Sequence, residues 1–118
     1  MEYQIEITVF PEFVCVSATG KYSFADLPGF IAKLRNITIG NDRDKLLIDC
    51  SQLAVEMTET ERFAGGRTIA QLFQQDIRAA LLMPAGQVTK LVELAALNRG
   101  TQLLVTTSET EALEWLAE

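Results

Sequence analysis

Between Tyr3 and Val9 the chain alternates: Tyr3, Ile5, Ile7 and Val9 are apolar or aromatic, and Gln4, Glu6 and Thr8 between them are polar. A period of two marks a strand with one wet face. Phe10-Pro11-Glu12 predicts a turn, because Pro11 fixes φ and offers no backbone donor. Phe13 to Thr19 then predicts a second strand with Val14, Val16 and Ala18 on one face, so the pair forms a hairpin that Gly20 ends.

Periodicity then lengthens. Leu27, Phe30, Ile31 and Leu34 fall on one stripe of a helix. Ser23 and Asp26 stand at the spacing of a weak capping box, and Asp26 as N-cap places Pro28 at the second helical position, where a proline is tolerated. Ile37-Thr38-Ile39 and Gly40-Asn41-Asp42 are expected to carry the chain to a central strand, Lys45 to Cys50, with a polar loop Ser51–Met57 after it. Thr58 and Glu61 form the capping-box pattern T-x-x-E, opening a helix on which Phe63, Ala70 and Phe73 share a face. Gly65-Gly66 inside that helix implies a break or a close backbone approach, since each glycine costs ~1 kcal/mol against alanine.

The strand-then-helix form repeats. Ile77 to Met83 reads as a strand stopped by Pro84, and Val88, Leu91, Val92 and Ala95 mark a third helix with Gly100 as its left-handed cap. Thr101 to Thr106 is a last strand. Ser108 and Glu111 cap a final helix carrying Ala112, Leu113, Trp115 and Leu116. The predicted fold is α/β: an N-terminal β-hairpin followed by parallel βα units, in the order β-β-α-β-α-β-α-β-α, expected to form one domain over residues 1–118.

Composition narrows the functions open to such a fold. A net charge of −6 with ten scattered basic residues disfavours nucleic acid and anionic membrane surfaces. The absence of histidine removes His-based triads and His-ligated metals, and two cysteines alone do not make a zinc site. Cys15 and Cys50 lie in apolar runs and read as buried free thiols of a reducing compartment. No apolar run approaches the ~20 residues of a membrane span, and the polar, acidic start does not read as a signal peptide. The expectation is a cytoplasmic protein without metal or cofactor, and not an enzyme.

The order of elements and some of the wording resemble the STAS superfamily, and within it the SpoIIAA-like family of small bacterial proteins. The likeness covers nearly the whole layout. It is most specific in the C-terminal half, in the strand Arg78–Pro84, Asn98-Arg99-Gly100, the strand Leu103–Ser108 and the run Glu111-Ala112-Leu113-Glu114-Trp115-Leu116. The resemblance implies a mixed sheet packed by helices, an arrangement also shared by lipid-carrying CRAL-TRIO domains, and a regulatory role like that of anti-sigma factor antagonists. In those antagonists the strand matching Leu46–Asp49 leads to a D-S-S-G motif whose serine is phosphorylated at a helix start. Here that place falls at Met57-Thr58-Glu59-Thr60: the motif is absent, Met57 and Glu59 stand where Asp and Ser are expected, and Thr58 and Thr60 are the hydroxyls nearby.

Each candidate residue has a plain reading beside a functional one. Thr58 is first a helix N-cap and second, with Thr60, a candidate phosphoacceptor. Asp49 caps the turn after its strand, and Glu56 is a solvated loop residue; neither has a nucleophile or oxyanion donors beside it. Asp49, Ser51, Glu56, Met57, Phe63, Gly65, Gly66 and Arg67 are the expected partner or ligand surface. A protein partner is expected there, with a homodimer as a further expectation because glycines on the second helix permit close packing. The alternative is a carrier of a small apolar molecule or lipid in a pocket between sheet and helices, lined by Met57, Phe63, Leu72 and Phe73.

Overall fold

A computed structural model describes residues 3–55, 57–84 and 97–118. Strand β1 (Tyr3–Val9) pairs antiparallel with β2 (Val14–Tyr22), Tyr3 opposite Gly20 and Val9 opposite Val14. Strands β3 (Lys45–Val55), β4 (Arg78–Leu82) and β5 (Leu103–Thr106) continue the sheet in the order β1-β2-β3-β4-β5, and every pairing from β2 onward is parallel. The described helices are α1 (Leu27–Gly40), α2 (Glu59–Phe73) and α3 (Glu109–Ala117), with a 3-10 turn at Phe24–Asp26 ahead of α1. The helix expected through Val88, Leu91, Val92 and Ala95 lies outside the described residues. The sheet is the mixed α/β arrangement that the hydrophobic pattern predicts.

Side chains of alternate parity divide the sheet into two faces. Val14, Val16, Leu46, Ile48, Ala79 and Leu103 pack on the face covered by α1 and α2, together with Phe30, Leu34 and Phe73. Leu47, Ala80 and Leu82 on the other face meet Ala112 and Leu116 of α3. Tyr3 meets Phe30 edge to face at 5.2 Å, which ties the edge strand to α1. Farther along β1 the cover stops, and Ile7 and Val9 are 47% and 44% exposed.

Three boundaries differ from the sequence pattern. Gly20 does not end β2; it sits inside the strand at φ 104° and pairs with Tyr3 and Leu53. Strand β3 does not stop at Cys50 but runs to Val55 alongside Thr19–Tyr22. The cause is one irregularity: Ser17 opposes Asp49, but Thr19 opposes Gln52, so β3 holds one residue more than β2 across that step. The extra residue flips the parity, and Leu53 faces inward with Ile48 and Cys50. Likewise α1 extends through Ile37-Thr38-Ile39-Gly40, because Thr38 is buried with its hydroxyl donating to the Leu34 carbonyl at 2.8 Å. Asp42, at φ 59°, turns the chain into β3.

The caps follow the sequence closely. Pro28 lies in the first turn of α1 behind Asp26, whose carboxylate accepts from the Ser23 amide and hydroxyl at 3.1 Å each. The Ser108 hydroxyl accepts from the Glu111 amide at 3.1 Å to start α3. Gly100 takes φ 85°, the left-handed conformation expected of it. Arg78 secures α3 from beneath: its guanidinium lies 3.8 Å from the Trp115 ring centroid and donates to the Trp115 carbonyl at 2.7 and 3.2 Å.

Helix α2 is continuous through Gly65-Gly66, both buried. A Cβ on Gly65 would stand 3.2 Å from Leu27 Cδ2 and 3.7 Å from Met57 Cε, so the close approach is made within the chain, by the start of α1. This removes the glycine-based reason for expecting a second copy at that face, and it places Gly65 and Gly66 behind the surface rather than on it.

Candidate functional site

The β3–α2 connection gathers most of the residues singled out from sequence. The half-buried Asp49 accepts from the Ser51 amide at 3.0 Å and from its hydroxyl at 2.6 Å, the side-chain turn expected of an aspartate at the end of an apolar run. It falls at the irregular step of β3, inside the strand rather than at its end. Glu56 lies outside the described residues.

Helix α2 begins on a reciprocal cap. The Glu61 amide donates to Thr58 Oγ1 at 3.1 Å, and the Thr58 amide donates to Glu61 Oε1 at 2.9 Å, so two orphan donors of the first turn are satisfied together. Beyond the cap, spacing and burial separate the two sides of the helix. Gly65, Gly66, Ile69, Ala70 and Phe73 face the core. Thr60, Phe63 and Arg67 stand at helical spacing on the outward side, all exposed. Phe63 stands at the border of the inward face, at i to the buried Ala70 at i+7, and is 38% exposed, with the Arg99 guanidinium 5.6 Å from its ring centroid. The strip is acidic at the helix start, with Glu59 and Glu61, and basic around Phe63, with Arg67 and Arg99.

A second feature lies beneath this strip. Between α1, α2 and the sheet is a cavity of about 60 Å³, walled by Leu27, Phe30, Ile48, Cys50, Leu53 and Ile69 among others, with Met57, Arg62 and Gly65 also on its lining. Of the residues expected to line an apolar pocket, Met57 does so. Phe73 is wholly buried in the core, Leu72 packs against that core, and Phe63 is exposed at the border of the inward face, so these three lie elsewhere. The cavity is small, about 60 Å³ of room for solvent-sized groups, and its lining is apolar.

The thiols fit the reading of inert cysteines. Burial, with Asp49 adding to it, pushes the Cys50 thiol up to about 12. Burial also raises Cys15, with Asp49 and Glu109 acting in the same direction and a Ser17 hydrogen bond opposing them. Neither is set up as a thiolate nucleophile. Among the described residues no three Asp, Glu or Cys side chains converge as a metal site, and no helix is long and apolar enough to cross a membrane.

The sequence patterns held a pocket between sheet and helices as an alternative but gave it, Met57 apart, other walls, and they missed the arginine. Arg62 had no signal of its own, since a single cation in a first turn is ordinary. Its place on the lining follows from the packing of α2 against α1 through Gly65.

No family model matches the chain, and no curated protein matches it. Solved structures do match in fold. An anti-sigma factor antagonist from Mycobacterium paratuberculosis superposes with a TM-score of 0.65 at 12% identity, covering 98% of this chain and 95% of that one. An uncharacterized protein with a SpoIIAA-like fold from Shewanella loihica gives 0.57 at 17% identity, covering 97% and 93%. The Bacillus cell fate determinant SpoIIAA in its phosphorylated form gives 0.51 at 16% identity, covering 97% and 98%. The chain has a SpoIIAA-like fold.

Proposed function

We propose that this chain is a non-enzymatic regulatory or adaptor protein of STAS type, acting in a bacterial cytoplasm and binding a protein partner through the start and outward side of α2. The observation that carries the reading is the strip Thr60, Phe63 and Arg67: an exposed aromatic ring flanked by arginines on a helix whose opposite side is locked into the core. Aromatic and arginine side chains anchor protein interfaces out of proportion to their number. The fold likeness to anti-sigma factor antagonists points the same way.

Thr58 and Thr60 are the hydroxyls through which such a surface would be switched. Both are exposed at the start of α2. A phosphate on Thr58 would meet the Glu61 carboxylate that now closes the capping box, so modification there would open the box and rearrange the first turn. At Thr60 it would add charge to the strip without disturbing that cap.

A photo-crosslinking side chain placed at Phe63, compared with one at Lys33 on the exposed side of α1, tests the surface in the native host. The reading predicts one protein captured in good yield from position 63 and not from position 33. Equal capture from both, or none from position 63 in a folded variant, would refute it.

A further inference from the structure

We propose that the outer edge of β1 is the interface of a symmetric dimer of this chain, in which residues 5–9 of two copies pair antiparallel about Ile7 and join the two sheets into one. The interface is separate from the outward strip of α2 and does not depend on it.

Backbone direction is the first support. Strand β1 stands at the end of the sheet order. The Phe10 amide donates to the Phe13 carbonyl at 2.9 Å, and that pair continues the register in which Thr8 opposes Cys15 and Glu6 opposes Ser17. Backbone groups alternate in direction along an antiparallel strand, so Gln4, Glu6 and Thr8 turn theirs to β2. Ile5, Ile7 and Val9 turn theirs to the outside, where no described strand receives them. Such an edge is a template for another strand, and proteins that keep it free place lysine, proline or a bulge on it. Residues 3–9 hold no lysine or proline, and their register with β2 is unbroken.

Exposure is the second. Tyr3, Ile5, Ile7 and Val9 share one face of the sheet, but only the start of that row is covered: Tyr3 is buried, Ile5 half-buried, and Ile7 and Val9 are exposed. The apolar side chains left bare are those of the residues whose backbone groups point outward. A second row of isoleucine and valine set beside them removes from water an apolar surface that no described element of a single copy covers.

Register names the occupant. Only pairings that set odd-numbered residues opposite odd-numbered residues match the outward backbone groups of both strands. Centred on Glu6, such a pairing sets two carboxylates directly opposite each other, which is destabilising. Centred on Ile7, it sets Ile7 against Ile7, Ile5 against Val9, and Glu6 against Thr8, whose hydroxyl can donate to the carboxylate. Glu6 and Thr8 then form the pairs without backbone hydrogen bonds, where opposite side chains come closest, with Cα atoms ~4.5 Å apart. The strand is complementary to itself, apolar row on apolar row and acceptor on donor. Pairing stops at Val9 because the chain turns away at residues 10–12. So short an edge is small beside the ~800 Å² per partner of a standard interface, which makes the dimer a weak one, in the micromolar range.

Sedimentation equilibrium of the full chain over about 1 µM to 1 mM reads the association. A monomer–dimer equilibrium is expected, and a monomer throughout that range would overturn the proposal. Ile7→Lys sets two ammonium groups against each other across the two-fold axis and should weaken the dimer at least ~tenfold. Leu113→Lys, at an equally bare apolar position on α3, should leave it unchanged. Equal weakening by both, or by neither, would place the association on another surface and overturn the proposal. Disulfide cross-linking reads the register and stands on its own if Ile7→Lys folds poorly, with the unsubstituted chain and its Cys15 and Cys50 as the blank. Ile7→Cys brings the two copies of that position together with Cα atoms ~5.5 Å apart, within disulfide reach, and should trap a dimer under mild oxidation. Gln4→Cys, whose two copies stand about 20 Å apart in this register, should not. Cross-linking at position 4 as fast as at position 7, or none above the blank at position 7, would overturn it.

Discussion

Replacing Gly65 by alanine tests how α2 meets α1, because two opposing effects of known size act at one atom. In a helix interior alanine is favoured over glycine by ~1 kcal/mol. The new methyl would be buried, adding up to ~0.8 kcal/mol of apolar transfer. Against this, it would lie 3.2 Å from Leu27 Cδ2, inside the ~3.5–4.0 Å of a relaxed carbon contact, with Met57 Cε at an ordinary 3.7 Å. Overpacking a rigid site costs ~1–3 kcal/mol, enough to cancel the gain. The obstacle here is the far end of a leucine side chain on the wall of a cavity, so it can retreat by a few tenths of an ångström into empty space. The expected balance is a stabilisation of about 1 kcal/mol, measured as a raised urea midpoint at unchanged m-value. A loss of 1 kcal/mol or more at unchanged m would refute the reasoning, because it would mean that Leu27 cannot move and that the cavity is not usable space.

Three further outcomes follow from the same geometry. Thr58→Ala should cost about 1 kcal/mol in urea unfolding, and a double-mutant cycle with Glu61→Ala should show coupling, because the two hydrogen bonds close on each other. Arg78→Met should destabilise by about 2 kcal/mol and increase near-ultraviolet signal averaging at Trp115, because it removes the bonds to the Trp115 carbonyl and the cation over the ring. Cys50 has a folded-state pKa raised to about 12 from 9.0, so between those values the unfolded chain releases a proton that the folded chain keeps. Its contribution to stability is whole below pH 9 and is lost as pH rises toward 12, at up to ~1.4 kcal/mol per pH unit. Cys50→Ala should flatten that slope in alkaline unfolding titrations; an identical slope would assign it to other groups.

The local signals in the sequence were sufficient wherever structure is decided by neighbours a few residues apart. The alternation of Tyr3 to Val9, the stripe Leu27-Phe30-Ile31-Leu34, the caps at Thr58 and Ser108 and the left-handed Gly100 all depend on short-range geometry, and the fold shows each of them. Together they order the elements well enough to imply a hairpin followed by parallel βα units, and the resemblance to the SpoIIAA-like family supplies the rest of the expected sheet. Of the candidate site, the cap at Thr58 and the side-chain turn of Asp49 were legible for the same reason.

Tertiary structure decided the rest. The extension of β3 past Cys50 and the inward turn of Leu53 come from one extra residue set against β2, a partner some thirty residues away whose register no local pattern contains. Phe63 sits near the border of the inward arc of α2, where helical spacing alone does not decide burial, and in the packed fold it is 38% exposed. The packing of α2 on α1 leaves the small cavity and brings Arg62 to its wall. Hydrophobic periodicity states which residues prefer burial, a property of each side chain. Whether the buried pieces meet without a gap depends on how two helices and a sheet fit in space, and that is set only when they pack.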